Sequence, residues 1–168
     1  EEKGHLSSVK EDINRDMALK EKKIEDLKKG IKPYPDAVNK LKRFIEQQLL
    51  EQKNIIVNVS ILADCLEIKD QSWRNAIEGY LDQQKFYLLV PQEFYKDALH
   101  IYENAKEEMH LYGAGLIDIA KLQESYHPNI KGNALAEEIE SSNEDALLYA
   151  NYLLQDVIKC ESVDELNQ

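Results

Sequence analysis

Residues 62–82, LADCLEIKDQSWRNAIEGYLD, and residues 135–155, LAEEIESSNEDALLYANYLLQ, align at a constant offset with no gap. Leu62-Ala63-Asp64 falls over Leu135-Ala136-Glu137, Leu66 over Ile139, Ile77 over Ala150, and Tyr80-Leu81 over Leu153-Leu154. Each copy then enters a short apolar run of strand character, Phe86 to Val90 in the first and Val157-Ile158 in the second. The spacing predicts a helix–helix–strand unit used twice. A unit repeated in this way implies a pseudo-symmetric domain built to pack on itself or on a second copy, rather than a pocket shaped around one reaction.

Working outward, Asn54-Ile55-Ile56-Val57 predicts a strand before the first copy, 60–67 a short helix, 71–83 a helix with Trp73, Ile77 and Leu81 on one face, and 86–90 a buried strand. Pro91 suits the first turn of a helix running to about residue 110, with Phe94, Ala98, Ile101 and Ala105 inward. Gly113 to Asp118 then predicts a strand, and His127-Pro128 to Gly132 a loop. The expected class is α+β with helices over mixed sheets, in two halves of about 54–110 and 113–168.

The N-terminal stretch is of another kind. Leu6, Val9, Ile13, Met17, Ile24, Leu27 and Ile31 recur at steps of three and four or their sum, with charged residues between them. That is the narrow seam of a coiled-coil arm over residues 1–31, interrupted at Lys20; the other reading is a single surface helix. Gly30 and Lys32-Pro33-Tyr34-Pro35 break it, because proline lacks an amide donor and pushes its predecessor out of the helical region. Asp36 then caps a helix whose inward face is Val38, Leu41, Ile45 and Leu49, so the globular domain is expected over 33–168.

A 168-residue chain with 43% hydrophobic residues can bury one core. It opens on Glu1 and stops at Gln168 within a helical pattern, as expected of an excised piece. No stretch approaches the ~20 apolar residues that span a bilayer. Net charge is −11, and it is uneven: residues 1–53 carry 13 Lys/Arg against 11 Asp/Glu, and residues 54–168 carry 8 against 21. An acidic globule repels a phosphate backbone, which argues against direct nucleic-acid binding.

The search for chemistry returns little. There is no GxxxxGK[ST] phosphate loop, so no ATPase site in this stretch. Gly113-Ala114-Gly115 is a turn entering a strand. His5, His100, His110 and His127 are scattered; only His110 lies near acids, Glu107 and Glu108, and neither a second histidine nor a cysteine pair completes a ligand set. Cys65 and Cys160 lack CxxC spacing and are expected as small core residues in a reducing compartment. Glu137, Glu138 and Glu140 form a solvated helix face. Trp73-Arg74, Lys85-Phe86-Tyr87 and Tyr95-Lys96 could stack on single-stranded nucleic acid, but half-buried core aromatics explain them more cheaply. The chain is therefore expected to be no enzyme and to need no metal or cofactor.

Residues 59–103, VSILADCLEIKDQSWRNAIEGYLDQQKFYLLVPQEFYKDALHIYE, resemble the first half of the hinge of SMC-type ATPases, and residues 133–166, NALAEEIESSNEDALLYANYLLQDVIKCESVDEL, resemble its second half. Within that family, KPYPDAVNKLKRFIE and WRNAIEGYL are most similar to the SMC-like JetC ATPases of bacterial Wadjet plasmid-defence systems, relatives of the MukB and MksB condensins. The resemblance implies a hinge that pairs with a second copy and joins two long arms, so that a bacterial, nucleoid-associated cytoplasmic complex encircles DNA. The arm helix would pair with the returning helix of its parent chain. The alternative is a module that docks DNA or an accessory protein, with dimerisation secondary.

The resemblance also places the dimer contact where each half's helix meets its strand: Leu81, Asp82, Gln83, Gln84, Lys85, Phe86 and Tyr87 in the first half, and Leu154, Gln155, Asp156, Val157 and Ile158 in the second. Hinges of this kind carry glycines there, and this chain has Leu81-Asp82-Gln83-Gln84 and Leu153-Leu154-Gln155-Asp156. Without glycine the backbones approach less closely, so a wetter and weaker contact is expected.

Overall fold

The structure is a computed structural model and describes residues 9–21 and 34–161. It divides into two units, Glu1–Pro35 and Asp36–Gln168. In the first, residues 9–21 form helix α1. Its seam residues Val9, Ile13 and Met17 are 42%, 53% and 55% exposed, so this apolar stripe has no cover among the described residues. Leu6, Ile24, Leu27, Ile31 and the break at Gly30 to Pro33 lie outside the described residues.

The second unit begins with α2 (Asp36–Lys53), whose inward row Val38, Leu41, Ile45 and Leu49 is wholly buried at helical spacing. That row packs on α5 (Tyr95–Ala105), which turns Ala98, Ile101 and Ala105 inward. Four buried branched side chains contribute about 1.5–3 kcal/mol each, which makes α2 part of the globule rather than of the arm.

Between these helices lie β1 (Ser60–Ile61), the single turn α3 (Leu62–Cys65), β2 (Glu67–Ile68), α4 (Arg74–Leu81) and β3 (Leu88–Leu89). After α5 come α6 (Ile119–Ser125), a 3₁₀ turn at Leu135–Glu138, β4 (Ile139–Glu140) and α7 (Glu144–Leu154). β1 pairs antiparallel with β3, and β2 with β4. Leu116 adds a parallel bridge to Leu88, held by Leu88 N–H on Gly115 O at 2.8 Å and Ile117 N–H on Leu88 O at 3.0 Å. The architecture is α+β, with helices over two small ladders.

Several elements differ from expectation. Asn54 to Val57 is no strand: the β1–β3 ladder runs Ile61 opposite Leu88 and Ser60 opposite Leu89, and two steps further along it Asn58 would face Pro91, which has no amide to donate. The expected 60–67 helix is β1 followed by α3, and the 71–83 helix is a 3₁₀ turn (Gln71–Trp73), α4, and a second 3₁₀ turn (Asp82–Phe86). The helix after Pro91 starts as a 3₁₀ turn and ends at Ala105 rather than near residue 110; turns over 106–110 follow and close at His110, where φ is 53° and Leu111 N–H reaches back to Lys106 O at 3.0 Å, a left-handed position taken by histidine in place of glycine. Gly113 to Asp118 contributes one bridge rather than a strand. Helix α6 was not expected; Asp118 caps it, accepting from Lys121 N–H at 3.1 Å, and Ile119 and Leu122 are buried.

The two aligned segments pass through the same order of elements. α3, β2 and α4 correspond to the 3₁₀ turn, β4 and α7. Asp70 and Asn143, at the same offset of 73 residues as Leu62 and Leu135, both cap the helices that follow, accepting from Ser72 N–H at 2.9 Å and from Ala146 N–H at 3.1 Å. Leu62 N–H donates to Tyr87 O at 2.9 Å, and Leu135 N–H to Val157 O at 2.6 Å, the second return being three residues shorter. Ile77, Leu81, Ala150 and Leu154 share one core cluster with Leu135 and Ile139, where α4 meets α7.

Candidate self-association surface

The contact surface that the resemblance implies lies where α4 and α7 end. Helix α4 closes at Leu81, and Asp82 then takes φ 44° and ψ −128°, a conformation that glycine adopts freely and side-chain-bearing residues rarely do. The chain is turned there into the 3₁₀ segment Asp82–Phe86 and leaves it extended at Tyr87. Helix α7 ends without such a kink, Gln155 staying helical at φ −63°.

Burial divides the candidates. Leu81 and Leu154 are 4% and 0% exposed within the chain's own core, so neither is available to a partner. Tyr87 is half-buried, packed on the cluster of Leu62, Leu89 and Ile117, with its ring against Gly115; a Cβ there would lie 3.2 Å from the ring. Gln84, Lys85, Phe86, Gln155 and Val157 are half-buried, and Lys85 Nζ sits 5.2 Å from the Phe86 ring centre. Asp82, Gln83, Asp156 and Ile158 are exposed and form what a partner could touch.

Both glutamines rest on one tyrosine cluster, which the sequence reading missed. Tyr149 O–H donates to Gln84 Oε1 at 2.7 Å, and Tyr126 O–H to Gln155 Oε1 at 2.8 Å. The Tyr152 ring stands edge-on to Tyr126 at 5.3 Å and 6.3 Å from Tyr149. Burial, with Tyr87 and Tyr152 nearby, pushes the Tyr149 hydroxyl up to about 12, and burial followed by the Asp156 charge raises that of Tyr126. Both hydroxyls therefore stay protonated at neutral pH and act as donors. The signal was the Tyr149-Ala-Asn-Tyr152 spacing, which puts two rings on one helix face.

Elsewhere Lys159 bonds Glu138 within the second half at 2.6 Å, with both side chains mostly buried, and lies 5.8 Å from the ring centre of Trp73 in the first half. The free thiols Cys65 and Cys160 are half-buried, and burial raises the Cys65 pKa. Among the described residues no three His, Cys, Asp or Glu side chains gather as metal ligands, and no helix is long and apolar enough to cross a membrane. The surface offers amide and phenol hydrogen bonding with apolar contact. That suits binding.

No protein-family model matches the chain, and no curated protein is similar enough to match it.

Proposed function

We propose that this chain is a dimerisation module of hinge type from an SMC-like, DNA-encircling ATPase, of the kind found in bacterial plasmid-defence or chromosome-maintenance complexes. The observation that carries the reading is the register of β2 on β4. Glu67 faces Glu140 and Ile68 faces Ile139. Glu67 and Glu140 are also equivalent under the 73-residue offset, so a two-fold axis relating the halves would pass through that very pair. The matched caps at Asp70 and Asn143 and the matched bridges Ile61–Leu88 and Ala134–Ile158 are what such an axis would produce. A pseudo-dyad within the chain lets two copies close a ring through two equivalent contacts, half one of each against half two of the other. The role is structural, with ATP hydrolysis left to another part of the parent.

The test is the mass of the chain in solution over a dilution series, by light scattering. A dimer is expected, weakened by Gln83→Lys in half one or by Ile158→Asp in half two, both exposed positions. The doubly substituted chain should regain association, since the introduced lysine of one copy then meets the introduced aspartate of the other. A monomer at every concentration, or single variants that associate like the wild type, would overturn the reading.

A further inference from the structure

Tyr152 lies on the surface beside both contact segments. Its ring is edge-on to Tyr126 at 5.3 Å and 6.3 Å from Tyr149, the two tyrosines that hold Gln155 of the second half and Gln84 of the first. On α7 it sits three residues before Gln155, one turn back along the same face. Tyr126 and Tyr149 are fixed by their hydrogen bonds, whereas Tyr152 is 49% exposed and its hydroxyl has no hydrogen-bond partner among the described residues. A half-exposed phenol ring braced by two others loses little conformational freedom when a partner covers it, which is what an interface anchor requires.

The polar groups left around that ring come in a matched set. Gln84 and Gln155 each engage Oε1 with a tyrosine, and the Nε2 group of each is neither buried nor partnered among the described residues. Asp82, two residues before Gln84, and Asp156, next to Gln155, are exposed carboxylates with no ion pair or hydrogen bond among the described residues. Each half therefore offers one amide donor and one carboxylate acceptor.

We infer that Tyr152 anchors the self-association contact, and that a second copy of this chain binds around it through crossed amide–carboxylate hydrogen bonds, Gln84 to Asp156 of the second copy and Gln155 to its Asp82. The inference rests on the hinge-type reading and names the chemistry of its contact. With half one facing half two across a two-fold axis, both amides and both carboxylates of each copy find a complement. A carboxylate that accepts an N–H makes a charge-assisted bond, so acidic segments that would repel when bare are held together. A basic peptide would leave the amide donors unmatched, and an acidic one the carboxylates; the chain itself matches both.

Sedimentation velocity on the 168-residue chain compares the wild type with Tyr152→Ala, Asp156→Lys and Glu93→Lys. Tyr152→Ala should raise the dissociation constant about tenfold or more while leaving the far-ultraviolet helical signal unchanged. Asp156→Lys should weaken association to a similar degree although it makes the chain less acidic, because it sets a donor against a donor. Glu93→Lys makes the same charge change at an exposed position on the 3₁₀ turn before α5, and should not weaken association. The inference is overturned if Asp156→Lys or a folded Tyr152→Ala associates as the wild type does, or if Glu93→Lys weakens association as much as Asp156→Lys. A dimer that Ile158→Asp weakens and these two substitutions do not would leave the hinge-type reading standing and refute this contact. A wild type that is monomeric at every concentration would overturn both.

Discussion

Asp82 holds a backbone conformation that costs a side-chain-bearing residue roughly 1–3 kcal/mol, at φ 44° and ψ −128° where α4 turns into the following 3₁₀ segment. Its side chain is exposed. Asp82→Gly should therefore raise stability by about 1 kcal/mol, read as a higher denaturation midpoint at unchanged slope; a lower midpoint would show that the aspartate side chain contributes something the geometry does not reveal. Asn151 poses the opposite problem. It is 8% exposed on α7, and its Oδ1 has no hydrogen-bond partner among the described residues. Replacing a buried unsatisfied acceptor by a hydrocarbon of similar size removes its desolvation penalty, so Asn151→Leu is expected to stabilise by about 1 kcal/mol, measured by the same unfolding curve. Tyr149→Phe breaks the bond to Gln84 Oε1 and should cost about 1 kcal/mol while leaving the ring packing in place. Beyond the Tyr149–Tyr152 spacing, nothing of these environments was legible in the sequence. A tyrosine or an asparagine on a helix gives no sign of which partner, if any, lies across from it.

At the scale of elements, two helices start in the same way with different chemistry. The Asp70 carboxylate is held below its ordinary range chiefly by the Ser72 backbone N–H, whereas the Asn143 amide does not titrate. A carboxyl group depressed in the folded state stabilises fully above its unfolded pKa and loses that contribution as pH falls through the folded value. The first cap should thus fail below the usual aspartate range and the second persist. Asp70→Asn is expected to flatten that part of the stability-against-pH curve; an identical acid limb in wild type and variant would refute it. Asn143→Ala should cost about 1 kcal/mol at any pH, checked by chemical denaturation. The inward row of α2 was visible in the sequence because its spacing depends only on neighbours within a few positions, whereas Asp36, expected as the cap of α2, is its first helical residue. The strand at 54–57 and helix α6 were misjudged for the converse reason. A β-branched run becomes a strand only where a partner offers amides, and Pro91, more than thirty residues on, withholds one.

For the whole molecule the governing quantity is a net charge of −11. Self-association of two such bodies works against repulsion that salt screens, with a Debye length falling from about 10 Å at 0.1 M to about 3 Å at 1 M. Association should therefore strengthen as ionic strength rises, and a light-scattering series in salt that showed it weakening would point to ion pairs across the contact. Leu154→Asp is expected to unfold the chain, with loss of its far-ultraviolet helical signal, because Leu154 is fully buried between the halves; Ile158→Asp should leave that signal unchanged. The sequence by itself determined the composition of this protein's faces: an apolar seam before Gly30, a buried row on α2, two aligned segments, and an acidic surface. These rest on periodicity and composition. Only the tertiary structure decided that Leu81 and Leu154 belong to one core rather than to a contact, that Gln84 and Gln155 share a tyrosine cluster, and that Ile56 stands uncovered. Each of those depends on which residues far apart in the chain are brought side by side, and no local pattern encodes that proximity.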